Sequence, residues 1–161
     1  MRILAVGVAT IDIISLVDHY PREDSEVRAL ERHIRRGGNA TNTLVALSQF
    51  GHRCSWCGTV SDAPDSEHIF GDLARNRVET RYVVRHPSTS NPISCVTLSQ
   101  DNGSRSIVHY RRLPEYTAED FSRVDLARFD WVHFEGRNLS QLKPMLQRLT
   151  AQPGIGCSLE V

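Results

Sequence analysis

Residues 36–42 read Arg36-Gly37-Gly38-Asn39-Ala40-Thr41-Asn42. Two adjacent glycines end the element before them. Asn39 then opens a run in which Ala40, Leu44, Ala46, Leu47 and Phe50 follow helical periodicity until Gly51 closes it as a C-terminal cap. Upstream, Ile3 to Val8 is a short apolar run suited to a strand buried on both faces, as in a parallel sheet. Downstream come a strand over Cys54 to Cys57, a loop around Pro64, a helix from about Ser66 to Asn76 and a strand around Tyr82 to Val84. That β-α-β-α-β rhythm predicts an α/β fold.

The remainder of the chain continues this pattern and adds a more exposed one. Trp131 to Glu135 reads as another buried strand, Leu139 to Leu149 as a helix, and Ile155 to Val161 as the start of a further strand. Thr117, with Asp120 three residues on, caps a short helix. By contrast, Ile13 to Asp18 alternates loosely, and Val27 to Arg35 is heavily charged with Leu30 and Ile34 at weak spacing; both read as half-exposed strands. Ser94 to Gln100 and Arg105 to Tyr110 alternate on either side of Asp101-Asn102-Gly103-Ser104, a strong β-hairpin pattern. The chain stops inside an apolar strand with no closing helix and no polar tail, so a fragment of a longer α/β domain is expected.

Composition narrows the function classes. With 161 residues, 40% of them apolar, and 19 basic against 19 acidic side chains, the chain can bury a full core and is not compositionally disordered. A net charge of zero gives no electrostatic reason to expect nucleic acid or an anionic membrane as a partner. The longest apolar stretch, Ile3 to Ala9, is far shorter than the ~20 residues of a bilayer span and lacks a cleavage site behind it, so a cytoplasmic protein is expected. Cys54 and Cys57 form a C-x-x-C within a predicted strand, where residues three apart point to opposite faces. Cys95 and Cys157 are isolated, so all four cysteines read as buried or half-buried free thiols and no metal site is expected.

Two groups of side chains suggest ligand chemistry. Asp12 lies just past the carboxyl end of the first core strand, where open α/β sheets place their ligand crevice. An ionised carboxylate there accepts hydrogen bonds from adjacent hydroxyls of a polyol; a local turn cap is the competing role. Gly37 and Gly38 let backbone approach a ligand closely, while Asn39 and Asn42 share one face at the helix start beside free backbone N–H groups. Carboxamides donate and accept, as hydroxyl recognition requires. A glycine turn with an asparagine cap would use the same residues.

Taken together, Asp12-Ile13-Ile14-Ser15-Leu16-Val17-Asp18, Tyr20-Pro21, Gly37-Gly38-Asn39-Ala40-Thr41-Asn42, Asn102-Gly103-Ser104-Arg105 and His133-Phe134-Glu135-Gly136-Arg137-Asn138 closely resemble the ketohexokinase branch of the ribokinase-like sugar kinases. The motifs recur in order over nearly the whole chain. The resemblance implies that residues 1–161 are the N-terminal part of one ribokinase-like α/β sandwich, with strands near 13–18, 27–35 and 94–110 forming a small β-sheet lid that also makes a homodimer. It implies sugar binding by Asp12, Gly38, Asn39 and Asn42, with Glu135 a further candidate for sugar or metal-bound phosphate, and contact of Arg105 with nucleotide phosphates. Without the resemblance, Arg105 reads as a solvated edge-strand residue and Glu135 as readily a salt-bridge partner of Arg137 or another basic residue. The implied reaction is ATP-dependent phosphorylation of a ketohexose, D-fructose to fructose 1-phosphate, with Mg2+ and K+ as further cofactors. A non-catalytic product that binds sugar or pairs with a full-length kinase is the alternative. A dinucleotide-binding domain is disfavoured, because Gly7 stands alone after the first strand.

In these kinases the catalytic base is the aspartate of a late Gly-Ala-Gly-Asp motif, and that motif does not occur here; Gly154 and Gly156 flank Ile155 and lead into Cys157-Ser158. No catalytic base is therefore assigned within this chain, which is expected not to catalyse the reaction unaided. The purified chain should form no fructose 1-phosphate from ATP and fructose; sustained turnover in a coupled ADP assay would contradict this.

Overall fold

The structure, a computed structural model, describes residues 1–160. Along the chain, β1 (Arg2–Val6) turns into β2 (Thr10–Val17), followed by β3 (Glu31–Gly37) and helix α1 (Asn39–Gln49). Next come β4 (Arg53–Cys57), β5 (Thr59–Ser61), α2 (Ser66–Arg75), β6 (Val78–Glu79) and β7 (Val84–His86). The hairpin β8 (Ile93–Ser99) and β9 (Arg105–Tyr110) precedes the short helix α3 (Ala118–Ser122). The last elements are β10 (Trp131–Glu135), α4 (Leu139–Thr150) and β11 (Gly156–Glu160).

The described residues form three sheets. The largest is parallel, in the order β11-β10-β1-β4-β6, and it separates two cores. Alternation along β1 sends Ile3 and Ala5 to one side with Leu44 of α1 and Ile69 and Leu73 of α2, and sends Leu4 and Val6 to the other with Phe121 of α3 and Leu142 and Met145 of α4. The same alternation divides the C-x-x-C: Cys54 joins the first core and Cys57 the second. Burial raises both thiols, Cys54 to about 11 and Cys57 to about 12, so neither is a thiolate at neutral pH. These two are the inert buried cysteines expected, whereas Cys95 and Cys157 are exposed, because each faces outward on its strand.

The second sheet has the order β3-β2-β8-β9, with β2 and β8 parallel and the outer pairs antiparallel. It gathers the exposed strands: β9 is exposed at every residue and β3 at its first five. A minor pair, β5 and β7, makes the third. Thr117 and Asp120 form the expected reciprocal cap at α3, each backbone N–H donating 3.1 Å to the other's side-chain oxygen.

Several boundaries differ from expectation. The strand expected at 13–18 begins at Thr10, because Thr10 and Ile11 already pair with Gly37 and Arg36 of β3. Asp12 is thus inside β2, rather than in the loop after the first strand. The strand expected at 27–35 occupies Glu31–Gly37, since its register starts opposite Leu16. The strand expected at 82–84 occupies Val84–His86, where Val84 meets Thr59. The short strands β5 and β6 have too few residues to show a period.

Trp56 is fully buried in β4 and its indole N–H donates 3.0 Å to the Gly7 carbonyl, tying the sheet interior to the β1–β2 turn. Trp56→Phe leaves that carbonyl unpaired and should cost about 1–3 kcal/mol. The urea midpoint should fall without a change in slope; an unchanged midpoint would contradict the assignment.

Candidate active site

β1 and β10 run parallel and end side by side, and there the chain leaves the large sheet for the exposed one. The turn after β1 is held from both neighbours. Gly7 N–H donates to Cys57 O at 3.1 Å, and Val8 N–H donates to Glu135 Oε2 at 2.6 Å. A Cβ on Gly7 would run into the Glu135 carboxylate and the Ala40 methyl, so the turn passes between β10 and α1 only as glycine. A cavity of about 340 Å³ opens here, and Asp12, Gly38, Asn39, Asn42 and Glu135 all line it.

Each of these side chains is fixed by something nearby. Asp12 Oδ1 accepts a 2.7 Å hydrogen bond from Thr10 Oγ1, and the carboxylate leans over Gly37, where a Cβ would collide with Oδ2. Gly38 has a φ of +102°, in the region that favours glycine, and a Cβ there would strike the Val8 carbonyl. The Gly-Gly pair therefore lets β3 and α1 press against both Asp12 and the β1–β2 turn.

The two asparagines are held in different ways. Asn42 Oδ1 accepts 2.8 Å from Arg36 Nη1, and the same nitrogen donates 2.8 Å to Thr41 Oγ1. Arg36 Nε meets Asp72 Oδ2 of α2 at 2.6 Å, and with only 6% of its side chain exposed the arginine forms a buried strut between β3, α1 and α2. Asn39 Nδ2 donates 2.6 Å to Glu160 Oε1 at the end of β11. The backbone at Asn42 departs from expectation, because its N–H already donates to Gly38 O within the helix. The sequence pattern assigns no role to Arg36 or Glu160, yet each bonds an asparagine side chain directly, a contact that local spacing does not reveal.

Glu135 is partly buried. Burial raises its carboxyl above the ordinary range, while the Val8 N–H and the positive charge of Arg137 oppose that rise. The alternative Glu135–Arg137 salt bridge is not among the ion pairs of the described residues; Arg137 Nε instead lies 3.4 Å from Glu115 Oε1. Arg137 still lines the cavity, together with Thr10, Ser94 and His109, which the sequence had not pointed to. Ser94 and His109 face each other across β8 and β9, with Oγ and Nδ1 3.2 Å apart.

Arg105 stands elsewhere. It is exposed at the turn end of β9 opposite Leu98, whereas His109, four residues along, is the β9 residue at the cavity. Among the described residues no three His, Cys, Asp or Glu side chains are grouped to hold a metal ion, and no helix is long and apolar enough to cross a membrane. Asp12, Asn39, Asn42 and Glu135 offer hydroxyl-binding groups, and Arg137 and His109 are basic side chains at the same cavity.

Comparison with known proteins agrees with this architecture. Residues 1–152 match the family model described as pfkB family carbohydrate kinase. Ketohexokinase of Mus musculus is 40% identical over 149 residues, 92% of this chain and 50% of that protein. The chain thus spans half the length of that relative. Ribokinase of Giardia lamblia superposes with a TM-score of 0.83 at 12% identity, covering 98% of this chain and 50% of the other. Ribokinase of Cryptococcus neoformans, solved with ADP, gives 0.71 at 21% identity over 98% of this chain and 48% of the other. These two likenesses are of fold alone.

The raised Glu135 carboxyl has a consequence for stability. Folding favours its protonated form, so the ionised form costs stability at neutral pH, and the cost is lost as pH falls through the raised value to the ordinary carboxyl range. Glu135→Gln keeps an oxygen for Val8 N–H and removes the charge. At pH 7 it should melt a few degrees above wild type, with the gap closing toward pH 4. An equal or lower melting temperature at pH 7 would contradict the burial argument.

Proposed function

The chain belongs to the pfkB family of carbohydrate kinases, and from that premise we propose that it is the sugar-recognition part of an ATP-dependent ketose kinase that converts D-fructose to fructose 1-phosphate. The observation that carries this reading is the convergence of Asp12, Asn39, Asn42 and Glu135 on one cavity between the two larger sheets. Two carboxylates accept hydrogen bonds from hydroxyls and repel anions, while two carboxamides add donors and acceptors; an uncharged polyol satisfies all four. The choice of a ketohexose is supported by the 40% identity to mouse ketohexokinase.

In this reading Asp12 and Asn42 grip adjacent hydroxyls, Glu135 closes the opposite wall, and Gly38 lets the ligand meet backbone. The exposed sheet of β3, β2, β8 and β9 acts as the lid. It also provides the homodimer surface, for which the exposed Ile34, Ile107 and Val108 supply apolar area. Arg105 reaches nucleotide phosphates from the lid turn only when the lid and the nucleotide-bearing part approach one another. ATP, Mg2+ and K+ belong to the whole enzyme, with the base and most nucleotide contacts outside these residues. A cytoplasmic location accompanies the assignment.

Calorimetric or NMR titration of the chain with D-fructose tests the reading. Fructose should bind, and Asp12→Ala should weaken it by about 10-fold or more, the scale of a lost charge-assisted hydrogen bond. A folded chain that binds no fructose, or an Asp12→Ala variant with unchanged affinity, would overturn it.

A further inference from the structure

The polar groups around Asn39 and Asn42 carry more information than their presence in the cavity. A carboxamide has one accepting end and one donating end, and its neighbours decide which end is open. Arg36 is a donor only, so the end of Asn42 that meets Arg36 Nη1 at 2.8 Å is its oxygen. Its Nδ2 has no protein partner among the described residues. Glu160, when ionised, is an acceptor only, so the end of Asn39 that meets Oε1 at 2.6 Å is its nitrogen. Its Oδ1 has no protein partner among the described residues.

Both clamps are anchored from behind. Arg36 is pinned by Asp72 at 2.6 Å and by Thr41 at 2.8 Å. The second Glu160 oxygen lies 3.9 Å from His133 Nε2. Trp131 Nε1, which only donates, gives its proton to Ser158 Oγ at 2.9 Å, and His133 Nδ1 lies 2.9 Å from the same hydroxyl.

We propose that Arg36 and Glu160 are positioning residues that lock the two asparagine carboxamides in opposite senses, so that the cavity offers an acceptor at Asn39 and a donor at Asn42 and reads the hydrogen-bond polarity of its ligand. The favoured ligand then has one hydroxyl that donates to Asn39 Oδ1 and a nearby oxygen that accepts from Asn42 Nδ2, as a vicinal diol does. A ligand methylated on the donating hydroxyl can no longer donate to Asn39 Oδ1 and is rejected. This inference rests on the sugar-binding reading for its ligand, but the locked amides exist in the free protein.

Two measurements separate it from a simple packing role. In the sugar-free chain, side-chain amide NMR should show Asn39 Nδ2 protons shifted by their charged acceptor and moved by Glu160→Gln, while those of Asn42 exchange freely with water. Fructose titration of designed swaps supplies the second readout. Asn42→Asp strengthens the Arg36 contact, so the variant should fold at least as stably as wild type yet bind fructose about 10-fold more weakly, having exchanged a donor for an acceptor. Asn39→Asp faces Glu160 with like charge and should bind poorly. Adding Glu160→Gln supplies a donor to the new carboxylate and should restore affinity to within about 3-fold. Unmoved Asn39 amide signals, an Asn42→Asp variant with wild-type affinity, or a double variant no better than Asn39→Asp would each overturn the inference. Amide signals that behave as described in a chain that binds no fructose would uphold the lock and refute the sugar assignment.

Discussion

The hydrogen bond from Val8 N–H to Glu135 Oε2 is the point on which the candidate site depends. It joins the turn leaving β1 to the end of β10, the two strands that bring the large parallel sheet to the crevice, and it does so beside a glycine that admits no side chain. From that turn β2 departs into the exposed sheet and carries Asp12 with it. β3 returns along β2 and delivers Gly37 and Gly38 against Asp12 and the Val8 carbonyl, which fixes the start of α1 and both asparagines. The site is therefore a joint between a buried sheet and an exposed one, with its chemistry supplied from both sides.

This construction explains why an energetically unfavourable group persists. Glu135 is held in partly desolvated surroundings that raise its carboxyl, with one backbone donor and the charge of Arg137 as compensation. A packing role would be better served by a neutral side chain. A carboxylate kept there makes sense where a neutral, hydroxyl-rich ligand completes its hydrogen bonds. The exposed sheet shows the same tension: β9 is exposed along its whole length, unusual for a strand unless something covers it.

Much of this was legible in sequence where the signal is local. α1, the β8–β9 hairpin, the Thr117 cap and β10 all lie where periodicity, turn residues and capping chemistry put them. The opposite facing of Cys54 and Cys57 followed from strand geometry alone. Local signal failed where register with a distant strand decides. β2 starts at Thr10 because of pairing with β3, so Asp12 sits in a strand and not a loop. Long-range contacts that aim the asparagines were hidden for the same reason: Asp72, which pins the Arg36 bonded to Asn42, lies 36 residues from that arginine, and Glu160 lies 121 from Asn39. The candidate residues could be read from the motif; what aims them could not.

A crystal structure of the chain with D-fructose tests the central claim most directly. The account predicts one sugar in the crevice between the two sheets, with hydroxyls within hydrogen-bond distance of Asp12 and Asn42 and one wall formed by Glu135. Fructose bound elsewhere, or a crevice that stays filled only with water at saturating sugar, would contradict it.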